Sequence, residues 1–246
     1  MNNQATLEKM HQMKLYGMAR AFREALNTGM GKGFTADELL AHLIDAEWDE
    51  RHNRATSRLL KRARFHYQAF FEQIDFHLPR NLDKNMMLRF SDCSWVERGQ
   101  NIIIEGPTGV GKSFIGSALG HQACMNGFRT LYFNAIKLFS QLKMAKGDGS
   151  YEKELKRIAK AALVIIDDFG LQQLDTQSRL ALLEILEDRH GRKSTIIISQ
   201  LPVSKWHEVI GDPTIADAIC DRIIHNAFRI ELKGESVRKR YTEVNQ

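Results

Sequence analysis

Eight consecutive residues constrain this chain more than any other feature. Gly106-Pro107-Thr108-Gly109-Val110-Gly111-Lys112-Ser113 fills every fixed position of the phosphate-loop pattern G-x-x-x-x-G-K-[ST]. The run follows the β-branched stretch Ile102 to Ile104 and precedes a helix-like segment, which is the context such a loop requires. Glycines at 106, 109 and 111 let successive backbone amides turn inward around an anion, and the following helix aims its positive end at the same point. Lys112 is then expected to reach the β- and γ-phosphates of ATP. Ser113 is expected to offer its hydroxyl to Mg²⁺, which keeps several waters and bridges phosphate oxygens. A glycine-rich turn that merely joins strand to helix is the plainer alternative, and it leaves the match at all four fixed positions unexplained.

A second segment points the same way. Leu163-Val164-Ile165-Ile166-Asp167-Asp168 reads as a buried strand ending in two carboxylates, the form of a Walker B motif. Asp167 would hold the magnesium shell, and Asp168 would orient and polarise the water that attacks the γ-phosphoryl group. Alone, such a strand end is also where aspartates begin ordinary turns.

Around these motifs the chain changes character at Asn101. Beyond it, short β-branched runs (Ile102 to Ile104, Leu131 to Phe133, Leu163 to Ile166, Thr195 to Ile198) alternate with helix-like segments, which predicts a parallel, doubly wound sheet. Leu131 to Phe133 lies between the two motifs, so the two motif strands are expected to be separated by an inserted strand. Before Asn101, apolar residues recur at helical spacing (Leu15, Met18, Phe22, Ala25; then Leu40, Leu43, Ala46), which predicts a helical bundle. Gly29, Gly31 and Gly33 break the pattern. Thr35 with Glu38 then forms a capping box that starts the next helix. Pro79 and the stretch Arg80 to Lys84 read as a linker, giving a helical N-terminal domain over 1–78 and an ATPase domain over 79–246.

Composition narrows the remaining classes. Lysine and arginine number 35 against 30 aspartates and glutamates, a net charge of +5 that tilts the chain toward polyanionic partners. Cys93, Cys124 and Cys220 are odd in number and form no C-x-x-C pair, which argues against a disulfide framework or zinc finger and fits a reducing cytoplasm. The longest apolar run, Ala161 to Ile166, falls far short of the roughly 20 residues that span a bilayer. No signal-peptide core follows Met1 to Gln4, so a soluble, unexported protein is expected. His190, His207 and His225 lack metal-ligand spacing, and Trp48, Trp95 and Trp206 are read as packing residues.

Between Arg51 and Phe71 stand Arg51, Arg54, Arg58, Lys61, Arg62 and Arg64 without one acidic residue. On a helix Arg51, Arg54, Arg58 and Lys61 or Arg62 share one face, a stripe suited to the backbone of double-stranded DNA and indifferent to base sequence. The alternative is a solvated face answering Glu47, Asp49 and Glu50 one turn earlier. His52, His66, Phe65 and Tyr67 lie close by and would touch sugar or bases, or, for Phe65 and Tyr67, pack in the bundle core.

Taken together, these residues resemble IstB, the AAA+ helper ATPase of an insertion-sequence transposon family. The resemblance covers nearly the whole chain: Lys14-Leu15-Tyr16-Gly17-Met18-Ala19, Glu47-Trp48 through Arg64-Phe65, the phosphate loop, Asp167-Asp168-Phe169-Gly170, Ile185 to Arg189, Ser199-Gln200-Leu201-Pro202, Ile210-Gly211-Asp212-Pro213 to Arg222, and Lys233-Gly234-Glu235-Ser236. The family is related to helicase loaders of the DnaC kind, and the resemblance implies a domain without a full C-terminal lid. The resemblance implies an AAA+ α/β domain with nucleotide at the interfaces of a homo-oligomer. It implies a protein that engages target DNA and recruits or stimulates a transposase without cutting strands itself. It places Ser199 or Gln200 at the sensor-1 position, where a polar side chain touches the attacking water or γ-phosphate, and Arg222 at the position of an arginine finger. For Arg222 the competing reading is a salt bridge to Asp221 or Asp217. Arg238 takes the sensor-2 place or, more simply, belongs to a basic tail with Lys239 and Arg240. Asp168 stands where AAA+ proteins more often carry glutamate, so a nucleotide-gated DNA scaffold with little hydrolysis remains a rival, as does a helicase loader.

Overall fold

The computed structural model describes residues 3–29 and 33–237; Gly31, Arg238, Lys239 and Arg240 lie outside the described residues. The chain divides into two compact units, Met1–Arg58 and Leu59–Gln246.

The first unit is helical: α1 (Asn3–Gln12), α2 (Tyr16–Thr28) and the greater part of α3 (Ala36–Ala63). Gly29 ends α2 in the left-handed region at φ 68°. The expected capping box forms, with Thr35 N donating to Glu38 at 2.8 Å and Glu38 N donating to the Thr35 hydroxyl at 3.3 Å. Helices α2 and α3 meet at Gly17, where an added Cβ would collide with the Ala46 backbone. The buried Glu47 carboxylate there accepts from Gly17 N at 2.8 Å and Met18 N at 3.3 Å, satisfying amides that the start of α2 leaves open.

One packing expectation fails in this unit. Trp95 and Trp206 are buried, but Trp48 is 72% exposed and continues a solvent-facing row with Leu40 and Ile44. The four-residue step puts these three on one side of α3, while Leu43 and Glu47 turn inward.

The expected boundary at 78/79 also needs correction. Residues 59–78 belong to the second unit because Ala69, Phe71 and Ile74 are buried in its core, with Phe65, Tyr67 and Phe76 packed against them. Phe65 and Tyr67 are thus core residues, but of the α/β unit rather than of the bundle.

The rest of that unit consists of α4 (Lys84–Arg89), α5 (Ser94–Glu97), β1 (Asn101–Glu105), α6 (Lys112–Met125), β2 (Thr130–Asn134), α7 (Ala135–Asp148), α8 (Tyr151–Ala159), β3 (Leu163–Phe169), α9 (Thr176–Arg189), β4 (Ser194–Ser199), α10 (Trp206–Ile210), α11 (Pro213–Ile224) and β5 (Ala227–Glu231). The five strands run parallel in the order β2-β3-β4-β1-β5. The strand inserted between β1 and β3 is therefore β4, while β2, which separates them in sequence, takes the edge.

Alternate strand residues feed two cores, as a parallel sheet covered on both faces requires. Ile103, Val164, Ile166 and Ile197 pack with α7 to α11; Ile102, Ile104, Ile165, Ile196 and Ile198 pack with α6 and the segment 69–96. Arg189, 1% exposed, ties the lower end of the sheet by donating to the carbonyls of Ile158 and Ala161 at 3.0 and 2.9 Å. Among the described residues no helix is long and apolar enough to cross a membrane.

Candidate nucleotide site

In a parallel sheet the carboxyl ends of the strands form the natural binding edge. Here β1 delivers the phosphate loop to that edge and β3 delivers the two aspartates. Gly106, Gly109 and Gly111 have φ of 146°, 88° and 95°, values that L side chains rarely adopt. Their lack of a side chain is also needed for space: a Cβ on Gly106 would strike the Leu232 carbonyl, one on Gly109 would strike Ser236, and one on Gly111 would lie 2.6 Å from Arg80 Nη1. Helix α6 begins within the loop at Lys112, which is 8% exposed and donates to the Pro107 carbonyl at 2.8 Å.

A cavity of about 460 Å³ opens over the loop. Thr108, Lys112, Ser113, Asp168 and Gln200 form its polar side, while Tyr67, Leu78, Phe114 and Val237 contribute apolar surface. A lining that combines charged, polar and apolar residues beside the phosphate loop suits a nucleotide. The hard oxygens of Ser113 and Asp167 suit Mg²⁺, which needs few protein ligands because it keeps water and phosphate oxygens.

Asp167 is 3% exposed; its carboxylate accepts from the Tyr132 hydroxyl and, at 2.8 Å, from Asp168 N. Burial, then the neighbouring Asp167 charge, pushes the Tyr132 hydroxyl far up, so it stays protonated as a donor. Asp168 sits where the β3–β4 register shifts between Ile166 and Phe169, and it is held at φ 59°. A bulge with a non-glycine residue in the left-handed region re-aims a side chain at a cost in strain, a combination common at functional sites. Burial and then the Asp167 charge raise the Asp168 carboxyl above the ordinary carboxylate range, with Asn134, His66 and Lys112 acting the other way. Asn134 Nδ2 donates to Asp168 at 2.7 Å while its Oδ1 caps α7 by accepting from Lys137 N at 3.3 Å. The cap fixes which end of the amide faces Asp168.

The two residues at the end of β4 separate clearly. Ser199 is fully buried; its hydroxyl donates to the Phe169 carbonyl at 2.9 Å and accepts from Leu201 N at 3.0 Å. Gln200 lines the cavity, and its Oε1 accepts from the Thr108 hydroxyl at 2.7 Å.

Arg222 lies on α11, paired with Glu187 and donating to the Ala218 carbonyl at 2.8 Å. The competing reading, a salt bridge to Asp221 or Asp217, is not what forms, and Arg222 is ion-paired with Glu187 in its place. Asp221 meets His225 at 3.0 Å and Asp217 meets His207 at 2.9 Å, because each histidine comes within reach of its aspartate. In the basic run, Arg51 donates to Glu47 at 2.7 Å and Arg54 to Glu50 at 2.9 Å, the helical pairing that competes with a DNA stripe. Arg58 donates to the Arg54 carbonyl at 3.2 Å. Lys61, Arg62 and Arg64 line a separate cleft in the second unit.

Sequence reasoning missed three contributors. Tyr132 and Asn134 lack a motif of their own, but the pairings Tyr132↔Ile165 and Asn134↔Asp167 bring them beside the two acids; the polar residue between strand and helix was the available signal for Asn134. Arg80, assigned to a linker, is 5% exposed and braces the phosphate loop by donating to the Val110 carbonyl at 3.2 Å and the Asp75 carbonyl at 2.8 Å. The terminal segment closes on the same loop, with Lys233 N donating to the Arg80 carbonyl at 3.0 Å and Val237 N to the Gly109 carbonyl at 2.9 Å.

Comparison with known proteins is consistent with this geometry. Residues 8–244 match the family described as IstB-like ATP binding protein. A protein of Sinorhizobium fredii described as an insertion-sequence ATP-binding protein is 45% identical over 234 residues, covering 95% of this chain and 96% of its own. A similarly described protein of Pseudomonas fluorescens is 40% identical over 205 residues, covering 83% of this chain and 89% of its own. Among solved structures, that of the DnaC helicase loader aligns with a TM-score of 0.56 at 21% identity over 68% of this chain and 98% of that one, which shows a shared AAA+ fold.

Proposed function

Because the chain belongs to the family of IstB-like ATP binding proteins, we propose that it is a magnesium-dependent ATPase. It works in the cytoplasm as an oligomer on duplex DNA and recruits or stimulates the transposase of its insertion sequence. One observation carries the reading: the phosphate loop, Asp168 and Gln200 line a single cavity at the carboxyl edge of the sheet.

In that cavity the amides of residues 106–113 and the Lys112 ammonium bind phosphate oxygens. Ser113 and Asp167 would hold the metal, which would supply charge neutralisation to the phosphates. Asp168 orients and polarises the attacking water, and its raised proton affinity makes it a better acceptor than an ordinary surface carboxylate. Gln200 acts at the sensor-1 place, and Ser199 supports the strand end beneath it. Arg222, once released from Glu187, reaches the nucleotide of a neighbouring copy and stabilises transition-state charge. The basic run from Arg51 to Arg64 supplies sequence-independent affinity for the DNA backbone.

A scaffold that turns over slowly is the second reading, favoured by the Asn134 hydrogen bond that engages Asp168. Phosphate release measured with and without duplex DNA decides between them. Repeated turnovers stimulated by DNA support the ATPase, whereas binding without turnover supports the scaffold. Capture of the purified transposase in an ATP-dependent pull-down tests the partner, and capture of a replicative helicase in its place would overturn it.

A further inference from the structure

On the second unit a cleft of about 700 Å³ shares no residue with the nucleotide cavity. Lys61, Arg62 and Arg64 line it from the end of α3 and just beyond, Arg129 from the residue before β2, and Arg157 from α8. Two carboxylates of the lining are already engaged: Asp148 accepts from Ser150 N at 2.9 Å and from its hydroxyl at 2.6 Å, and Glu154 accepts from Arg157 at 2.9 Å. Five cations against two carboxylates leave the lining at a net charge of +3, with Arg157 itself the partner of Glu154.

Two further details distinguish the lining of the cleft. Arg129 Nε is buried without a hydrogen-bond partner among the described residues, a state that costs free energy. Arg64 is held at φ 57° with no glycine to relieve it, and unrelieved backbone strain is concentrated where a side chain must be aimed.

We infer that this cleft is a binding site for the phosphates of a nucleic-acid backbone, with Arg129 and Arg157 completing a site to which the basic run contributes only Lys61, Arg62 and Arg64. The inference rests on the reading that the chain binds DNA and relocates the centre of that binding. The upstream arginines Arg51 and Arg54 spend their charge on Glu47 and Glu50, and Arg157 shares its own with Glu154 at the cleft, whereas no carboxylate pairs with Lys61, Arg62, Arg64 or Arg129 in the described residues. Cations on three separate elements suit several phosphates in succession better than one small anion. Leu131 and Met144 supply the apolar lining with no aromatic platform for bases, so the cleft meets the backbone and is indifferent to sequence.

The test is the affinity of the full chain for a labelled random-sequence duplex, followed by anisotropy across a salt series in the presence of ATP analogue. Arg129→Ala and Arg157→Ala should each reduce the slope of log K against log salt by about 0.9 for every phosphate no longer neutralised, and Arg129→Glu with Arg157→Glu should weaken binding by roughly tenfold or more. Arg51→Ala with Arg54→Ala should cost less. Retained binding of a fluorescent ATP analogue shows that the variants are folded.

In the wild-type chain, duplex should also protect Arg129 and Arg157 from an arginine-modifying dicarbonyl reagent, which keeps the question decidable if a variant misfolds. Undiminished affinity and slope, or absence of protection by bound duplex, would overturn the inference while leaving DNA binding in place. Failure of the wild-type chain to bind duplex at all would overturn both readings. Full protection by inorganic phosphate at matched ionic strength would overturn it in favour of a small-anion pocket. Equal competition by polyglutamate, abolished in the same variants, would overturn it in favour of a docking site for an acidic protein segment.

Discussion

Asp168 concentrates several features of this site in one residue. Its left-handed backbone, the register shift of β3 and the donor amide of Asn134 all act on where one carboxylate points. Burial and then the Asp167 charge raise its proton affinity, so hydrolysis should fall on the acid side at a pH above the ordinary carboxylate range. Asn134→Ala should move that limb further up, because it removes a hydrogen bond to the charged form. The same shift has a stability consequence. A carboxyl whose folded pKa is raised binds its proton more tightly in the folded chain, so its stabilising contribution is present at low pH and lost as pH rises through the folded value. At neutral pH the charged group is a cost. Asp168→Asn should therefore raise Tm in the absence of magnesium and nucleotide while lowering turnover by about 10²–10³-fold with ATP binding retained, measured by thermal melts and steady-state phosphate release. The neighbouring pair on β4 should divide in the opposite sense: Gln200→Ala slows turnover at unchanged Tm. Ser199→Ala, which strips the buried hydroxyl from Phe169 and Leu201, costs about 1–3 kcal/mol of stability in a denaturant titration.

At the level of elements, the phosphate loop depends on neighbours that come from outside it. Leu232, Ser236 and Arg80 take up the space that a Cβ on Gly106, Gly109 or Gly111 would need. Gly111→Ala meets both a φ of 95° and the Arg80 guanidinium, and should cost about 1–2 kcal/mol of stability together with a clear loss of ATP affinity by calorimetry. These neighbours also show what the sequence could reveal. The loop and the Asp167-Asp168 pair were legible because each is a contiguous run whose chemistry is written in residue type and spacing. The β-branched runs were legible because a sheet buried on both faces needs them. Tyr132, Asn134 and Arg80 were not, because strand register and a wrapping segment bring them to the site from distant positions. The domain boundary was misplaced for the related reason that Ala69, Phe71 and Ile74 look like bundle residues until the sheet they cover is known. Trp48 was misread because apolar residues at helical spacing do not say which side of a helix is covered.

At the scale of the whole molecule, the two cores cover both faces of the sheet and leave the candidate nucleotide cavity at its carboxyl edge. Arg222 of α11 is held by Glu187 of α9, and the proposed assembly gives it a further role. If it serves a neighbour's nucleotide, Lys112→Ala and Arg222→Ala chains, each inactive alone, should regain part of the wild-type ATPase when mixed, since some interfaces then pair an intact loop with an intact arginine. No recovery at any mixing ratio would place Arg222 in a purely structural pair. The most direct test of the central claim is a calorimetric titration of MgATP into the wild-type chain and into Lys112→Ala. The account expects saturable binding in the first, lost or weakened by at least tenfold in the second with Tm little changed, and equal affinity in the two would contradict it.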